Sequence, residues 1–334
     1  VIDLSSLRRH WFALCRSSDL AARPLRRTLL GEPLVLFRAE GGRPAALADR
    51  CPHRNAPLSA GWVSDGRIVC PYHGWQFDGA GACRAVPGLC GEPAHRSRSV
   101  ASFGLAEAGG LIWGSLEPAG PPPPEPPRAP GEARAIRSFT LEAGLVDALE
   151  NFLDATHTHF VHAGVVRAER PRRRVTAIVR GGGDRVEAEY VGEGRQSGLV
   201  SELFGAGVDT SLGRFIAPST VELEYRAAGS TRLLISLHYT PETERELRVF
   251  AVARGSTAPL PAWLVAAPLG LLLGMVVRQD RRILELQLLN LRRFGGERYS
   301  STEIDIMRPH ILRILRAGES GPVEPFERRV ELML

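Results

Sequence analysis

Two groups of residues in this sequence have the types and spacing to do chemistry, and the first is compact. Cys51-Pro52-His53 is followed, sixteen residues later, by Cys70-Pro71-Tyr72-His73. Two thiolates and two imidazoles make a four-ligand set that suits either zinc or a Rieske-type [2Fe–2S] cluster, in which two histidines replace two cysteines on one iron. Ligand order separates the two. A zinc finger usually groups its cysteines in one knuckle and its histidines in another. Here each half carries one of each, so each loop can reach both irons. The pattern points to the two-iron cluster, with structural zinc as the alternative.

The second group is Asn151-Phe-Leu-Asp154-Ala-Thr-His157-Thr-His159-Phe-Val-His162, three histidines within six residues and beside one aspartate. Two histidines and a carboxylate on one face hold Fe(II) in the non-heme oxygenases and leave positions open for O₂. On a regular helix Asp154 and His157 are neighbours, whereas His157 and His162 diverge. If those two histidines act together, the helix ends or bulges between them. Ala163-Gly164 fits a chain leaving the helix. Residue types alone do not choose among the three histidines.

The flanks of the first group carry a resemblance. Arg54, Pro57, Leu58 and Gly61 follow its first half, and Gly74, Trp75, Phe77 and Gly79 its second. The wording CPHRNAPLSAG and CPYHGWQFDGAG resembles the cluster domain of the Rieske non-heme iron ring-hydroxylating oxygenases. Asn55 stands where many members have glycine, and asparagine tolerates the left-handed region. The resemblance covers nearly the whole chain. It includes the compact branch that holds the oxygenase components of vanillate and dicamba demethylases and phthalate dioxygenase. It implies that Cys51, His53, Cys70 and His73 bind the cluster. The family pattern Asp-x-x-His-x-x-x-x-His, with Asn three residues before the Asp, is matched by Asn151, Asp154, His157 and His162. By that match His157 and His162 ligate a mononuclear Fe(II), and Asp154 is the carboxylate bridging this iron to the cluster of a neighbouring subunit. His159 falls off the pattern and reads as a structural or pocket residue. The implied third ligand is Asp280, expected at the start of a long helix, with Glu285 and Gln287 following and Glu285 as the fallback ligand. Read without a metal, Asp280 is a helix N-terminal carboxylate complementing the dipole.

The implied activity is that of a terminal oxygenase. It takes O₂, and electrons from a partner reductase or ferredoxin, to hydroxylate or oxidatively demethylate an aromatic or alicyclic small molecule; cis-dihydroxylation is the alternative. The resemblance also implies a head-to-tail homotrimer. The chain has no GxGxxG fingerprint and no plant-type ferredoxin cysteine spacing, so it does not take electrons from NAD(P)H directly. Readings of another class are a Rieske electron carrier and an apolar-ligand binding module.

These residues need a scaffold, and the sequence predicts an α+β protein in two parts. Residues 1–118 read as an all-β Rieske domain built from short apolar runs at 11–16, 33–38, 45–48 and 111–116 and a hairpin over 63–69. Residues 119–135 read as a proline-rich linker, with PPPPEPPRAP at 121–130 expected to be extended. Residues 136–334 read as a catalytic domain, of helix-grip type by the resemblance. Its expected helices are 143–155, 278–293 and 302–316, the last kinked at Pro309, and its expected strands are 174–180, 185–191, 219–226, 231–240 and 246–253. Ser256 to Val277 carries no charge and reads as a buried segment at the mouth of the active site, not as a membrane span. Leu203, Phe204, Phe215, Ile216, Leu233 and Ile235 are the candidate pocket residues. Arg167 to Arg174 reads as a solvated loop. His10, His95 and His310 read as surface or core residues, and His238 lies on a strand that could face the pocket.

Composition sets the outer bounds. The chain has 334 residues and a net charge of +5, and all 42 basic residues are arginine. Spread along the chain, this excess does not argue for nucleic acid, though it favours encounter with an acidic electron donor. Cys15, Cys83 and Cys90 show no disulfide framework and read as free thiols in a reducing compartment. No basic segment followed by an apolar run opens the chain, so a cytoplasmic location is expected.

Overall fold

A computed structural model describes residues 2–124, 132–167, 172–191, 208–256, 262–316 and 323–334. Cα proximity divides the chain into two compact units. One is Asp3–Pro127 with Thr240–Thr243; the other is Arg128–Tyr239 and Glu244–Leu334 with Val1–Ile2.

The first unit is all β. Its strands are β1 (Phe12–Arg16), β2 (Leu25–Leu29), β3 (Glu32–Arg38), β4 (Pro44–Ala48), β5 (Trp62–Ser64), β6 (Arg67–Val69), β7 (Gln76–Phe77), β8 (Cys83–Ala85), β9 (Ser102–Ala108) and β10 (Leu111–Ser115). Six of them form a sheet in the order β1-β10-β9-β4-β3-β2, and four a smaller sheet in the order β5-β6-β7-β8. The predicted hairpin over 63–69 is β5–β6, closed by Asp65 and Gly66 at φ 50° and 70°. Both central residues at positive φ are what a two-residue turn needs to match strand twist. The sulfurs of Cys51 and Cys70 lie among fully buried Val35, Phe37, Leu47, Leu58, Ile68 and Phe77, so both cluster loops stand on one apolar core.

The second unit is an eight-stranded antiparallel sheet with helices. Its elements are β11 (Glu132–Glu142), α1 (Leu145–Leu153), α2 (Thr158–Val161), β12 (Arg174–Gly183), β13 (Arg185–Val191), β14 (Thr210–Ile216), β15 (Thr220–Ala227), β16 (Ser230–Pro241), β17 (Glu246–Ser256), α3 (Ala262–Arg293), α4 (Arg308–Arg316) and β18 (Val323–Met333). The strand order is β11-β17-β16-β15-β14-β13-β12-β18. Alternation sets one face of the sheet: Val175, Ala177 and Val179 of β12 and Val186, Ala188 and Tyr190 of β13 are buried, with less buried neighbours between them. Helix α1 packs on β14 and β15, and α3 on β11. The sheet also satisfies helix carbonyls: Tyr190 Oη donates to Leu153 O (3.4 Å) and Tyr239 Oη to Ala148 O (3.3 Å).

Four expectations change. Strand β11 begins at Glu132, inside the range read as linker. Helix α3 begins at Ala262, sixteen residues before the expected start, and contains Pro268. A proline forfeits one intrahelical bond but does not end a helix held by its neighbours. Helix α4 begins at Arg308, so Pro309 is its second residue. There a missing N–H costs nothing and the fixed φ helps, and no kink arises. Arg167 is buried rather than solvated, and Arg174 opens β12. Among the described residues no helix is long and apolar enough to cross a membrane.

Candidate metal centres

The first centre is made by two loops with the same internal wiring. In one, Cys51 N–H donates to Ala56 O and Asn55 N–H to Cys51 O, both at 2.9 Å. In the other, Cys70 N–H donates to Trp75 O at 2.8 Å and Gly74 N–H to Cys70 O at 3.0 Å. Each loop closes through a residue in the left-handed region, Asn55 at φ 61° and Gly74 at φ 70°. Asn55 is held there by its side chain, whose Oδ1 accepts from Arg50 Nε at 2.8 Å. Asp49, just before the first loop, accepts from Ser59 N (2.7 Å) and Ser59 Oγ (2.6 Å) and ties the loop's two ends together. The sequence offset of the histidines, one residue after Pro52 and two after Pro71, therefore places them at different points of equivalent loops.

The side chains converge accordingly. The His53 and His73 rings are 4.5 Å apart, and Trp75 stacks on His53 at 4.9 Å. Burial, with the adjacent Cys70 thiol, pushes the Cys51 thiol up to about 11, so a metal must displace a proton there. His53 Nδ1 is buried without a hydrogen-bond partner. Two adjacent buried sulfurs and an imidazole nitrogen with nothing to bond fit a group that supplies metal to all of them. Of the other cysteines, burial pushes Cys15 up to about 12, Cys83 is buried and Cys90 exposed; all are free.

The second centre gathers His157, His162 and Asp280, whose ligand atoms all lie within 4.8 Å of one another. Helix α1 ends at Leu153, with Asp154 in extended geometry. The chain then makes the single turn α2, with His157 at its N-terminal boundary and His162 at its C-terminal one. One turn between two boundary residues brings side chains five apart onto a common point. Gly164, at φ 80°, turns the chain away. Across from them α3 presents Asp280 from its interior, not from its N-terminus as the sequence reading expected. The macrodipole therefore does not account for this carboxylate.

The Nδ1 hydrogen bonds of both rings face outward. His157 Nδ1 donates to the Asp154 carbonyl at 2.5 Å, and His162 Nδ1 to Gln279 Oε1 at 2.9 Å. Both Nε2 atoms are then unprotonated and face inward, 3.2 Å apart. Asp280 Oδ1 lies 3.0 Å from His162 Nε2 and 3.4 Å from His157 Nε2. It is buried and has no hydrogen bond of acceptable geometry. Three lone-pair donors facing one point, with their protons outside, fit a cation. Burial opposes protonation of His157, but Asp280 and Asp154 outweigh it and hold its pKa above the usual histidine value. Burial likewise raises Asp280, and the two histidines pull it below the usual aspartate value.

Gln279 is the residue that sequence reasoning missed. Its only signal was a polar side chain next to Asp280. His159 lies outside the ligand group, and Glu285 pairs with Arg281 at 2.6 Å. Asp154 touches His157 through its backbone; its carboxylate accepts from Thr156 N (2.7 Å) and Oγ1 (2.6 Å), with Oδ2 3.7 Å from His157 Nδ1. A cavity open to solvent ends on the three donors, with Phe152, Leu233, Ile235, Leu272 and Val276 among its walls. Phe215 is fully buried and, with Ile216, is not in that wall; Leu203 and Phe204 lie outside the described residues. His238 is also not in the wall and shares a hydrogen bond with Thr220 Oγ1 at 3.0 Å.

Fold and centres together define a class: a β domain carrying a Cys/His cluster site, followed by the antiparallel-sheet domain of the Rieske non-heme iron oxygenases. The comparisons agree. Residues 10–102 match the Rieske [2Fe-2S] domain, and residues 142–318 the vanillate O-demethylase oxygenase C-terminal domain. The chain belongs to the vanillate O-demethylase oxygenase family. It is 34% identical over 190 residues to the oxygenase component of dicamba O-demethylase of Stenotrophomonas maltophilia, covering 54% of this chain and 55% of that protein. It is 30% identical to the aminopyrrolnitrin oxygenase PrnD of Pseudomonas fluorescens, covering 69% and 62%. The solved structure of NdmA of Pseudomonas putida CBB5 with caffeine has the same fold, with a TM-score of 0.77, 23% identity, and 98% and 99% of the two chains covered. The chain spans about half the length, or less, of the first curated relatives it matches.

Proposed function

We propose that this chain is the terminal oxygenase component of a multicomponent system, hydroxylating or oxidatively demethylating an aromatic or alicyclic small molecule. In this reading Cys51, His53, Cys70 and His73 hold the [2Fe–2S] cluster, and His157, His162 and Asp280 hold a mononuclear Fe(II). The observation that carries it is the inward-facing triad at the base of an apolar cavity. When bound, the cluster supplies electrons singly from a partner reductase or ferredoxin, and the Fe(II) supplies the site for O₂.

The chain's own residues have distinct tasks. The Asp154 carbonyl and Gln279 fix the tautomers of His157 and His162, so that both Nε2 lone pairs stay available. The cavity walls exclude bulk water and hold the substrate against the open side of the triad. Asp154, joined through its backbone to a ligand histidine and partly exposed at its carboxylate, is the proposed link to the cluster of a neighbouring subunit in a head-to-tail trimer.

The test is iron and acid-labile sulfide per chain, with an EPR spectrum of the reduced protein, for wild type and His157→Ala. The expected result is about three irons, two sulfides and a Rieske signal, with one iron lost in the variant. Two irons in both proteins would leave an electron carrier, and zinc without sulfide would sink the reading of both centres.

A further inference from the structure

The chemistry of the cavity wall names the charge of what it holds. Arginine makes up 42 of the 334 residues, yet none of the fifteen described residues lining the cavity is an arginine. The three metal donors excepted, no lining residue among those described carries a charge. The wall is built instead by Leu223, Leu233, Ile235, Leu272, Leu273 and Val276, with Tyr225 and further apolar side chains between them. Thr158 also lines it, but its hydroxyl is committed: it donates to Ala155 O at 2.7 Å and accepts from Arg167 Nε at 2.8 Å. That second bond also aims Arg167, which follows the lining residue Val166, at Thr158.

An anion in such a cavity loses its hydration along the wall, where no described side chain is cationic, and could be compensated only at the metal end, the position the reaction needs for O₂. A neutral apolar molecule loses nothing and gains the burial of its surface. Resting on the oxygenase reading above, we infer that this site takes an uncharged, predominantly apolar substrate, and not a carboxylate or sulfonate. The metal end of the cavity sets where the molecule is attacked, and the wall sets that it must be neutral to reach it.

The test compares two probes that share a ring and a methoxy group and differ by one charge: 4-methylanisole and 4-methoxybenzoate. Binding to the iron-loaded full chain is measured calorimetrically without oxygen, so that no turnover is needed. The neutral probe is expected to bind on the order of 100-fold more tightly than the carboxylate. Ile235→Arg narrows or inverts that preference. Should this variant fold poorly, Ala253→Leu places bulk in the same wall and weakens both probes without altering the cluster's EPR signal. Equal or tighter binding of the carboxylate, no binding of either probe, or unchanged binding in Ala253→Leu each overturns the inference. Iron content of the same samples separates the two levels: fewer than three irons with charge-selective binding intact sinks the oxygenase reading and leaves the ligand class of the cavity standing.

Discussion

Replacing Gln279 with leucine tests whether the mononuclear centre is held from outside its ligand shell. The substitution keeps size and removes the acceptor for His162 Nδ1, which now lies 2.9 Å from Gln279 Oε1. His162 is 2% exposed, so water has little access to take the amide's place. An unpaired buried donor costs about 1–3 kcal/mol. Loss of a partner that orients a ligand histidine typically weakens metal binding about 10–100-fold. The two magnitudes agree, since about 1.4 kcal/mol is tenfold. The ring then either stays with an orphaned N–H or flips its tautomer and turns a proton toward Asp280; both outcomes oppose a cation. The assay is chelator competition for the mononuclear iron under anaerobic conditions, with the Rieske EPR signal as an internal control for folding. Gln279→Leu is expected to bind iron 10–100-fold more weakly, with the cluster intact. Gln279→Glu keeps an oxygen acceptor and recovers most of the affinity. Wild-type affinity in the leucine variant, or no advantage of glutamate over leucine, refutes the reasoning.

Other parts of the fold make equally direct demands. Arg308 of α4 reaches Asp147 (2.9 Å) and Glu150 (2.5 Å) of α1, and Asp147 is 6% exposed. Arg308→Met leaves buried Asp147 with Tyr299 Oη but no cation, and half-buried Glu150 without its partner, and should cost up to about 3–5 kcal/mol in urea unfolding, with weaker iron binding because α1 leads into the ligand turn. Burial, with the charge of Arg134, pushes His238 down to about 4. The folded state therefore keeps it neutral while the unfolded chain protonates near pH 6.5. Stability must fall as pH drops through 6.5 toward 4, and His238→Gln should flatten the thermal-melt difference between pH 7 and pH 5 by up to ~2 kcal/mol; an unchanged slope discounts the buried imidazole. A Cβ on Gly61 would sit 1.9 Å from Val69 O, directly before Cys70. Gly61→Ala should force that strand end to shift, cost on the order of 1–3 kcal/mol, and diminish the Rieske signal. A variant with the full signal and normal stability would show that the backbone absorbs the atom freely.

What the sequence disclosed followed from how local each feature is. The cluster loops were legible because all four proposed ligands and both turn residues lie in two short stretches, and their geometry is internal to each loop. The second centre was half legible. His157 and His162 flank one turn, and the need for a break between them was visible in their spacing. Asp280 came from resemblance, since nothing local ties it to a turn more than a hundred residues away. Gln279 carried no pattern at all. The missed strands include β2, β11 and β18, and each is the edge of a sheet. Edge strands carry charges on their open sides, as in Arg26-Arg27 and Glu327-Arg328-Arg329, so a search for apolar runs passes over them. Helix α3 was cut short because its uncharged first half was read as a separate buried segment; Pro268 within it does not end a helix packed along β11.

The two centres follow opposite building rules, and the difference fits their proposed work. A cluster that passes electrons has only to be held, and two equivalent loops on one apolar core hold it without help from distant chain. A site that binds substrate and O₂ must leave one side open, and ligands from a single short loop would close around the metal. Drawing the third donor from α3 leaves the open side free and gives it a wall, because the helix that carries Asp280 also carries Leu272, Leu273, Val276 and Val277 one to two turns earlier. Ligand and wall are then one rigid element. A shift of α3 that widened the cavity would also withdraw Asp280, and with it Gln279 from His162. Substitutions of wall residues on α3 should therefore perturb metal affinity together with ligand preference. Substitutions at Leu223 or Ile235, on strands β15 and β16, should change ligand preference with the iron left in place.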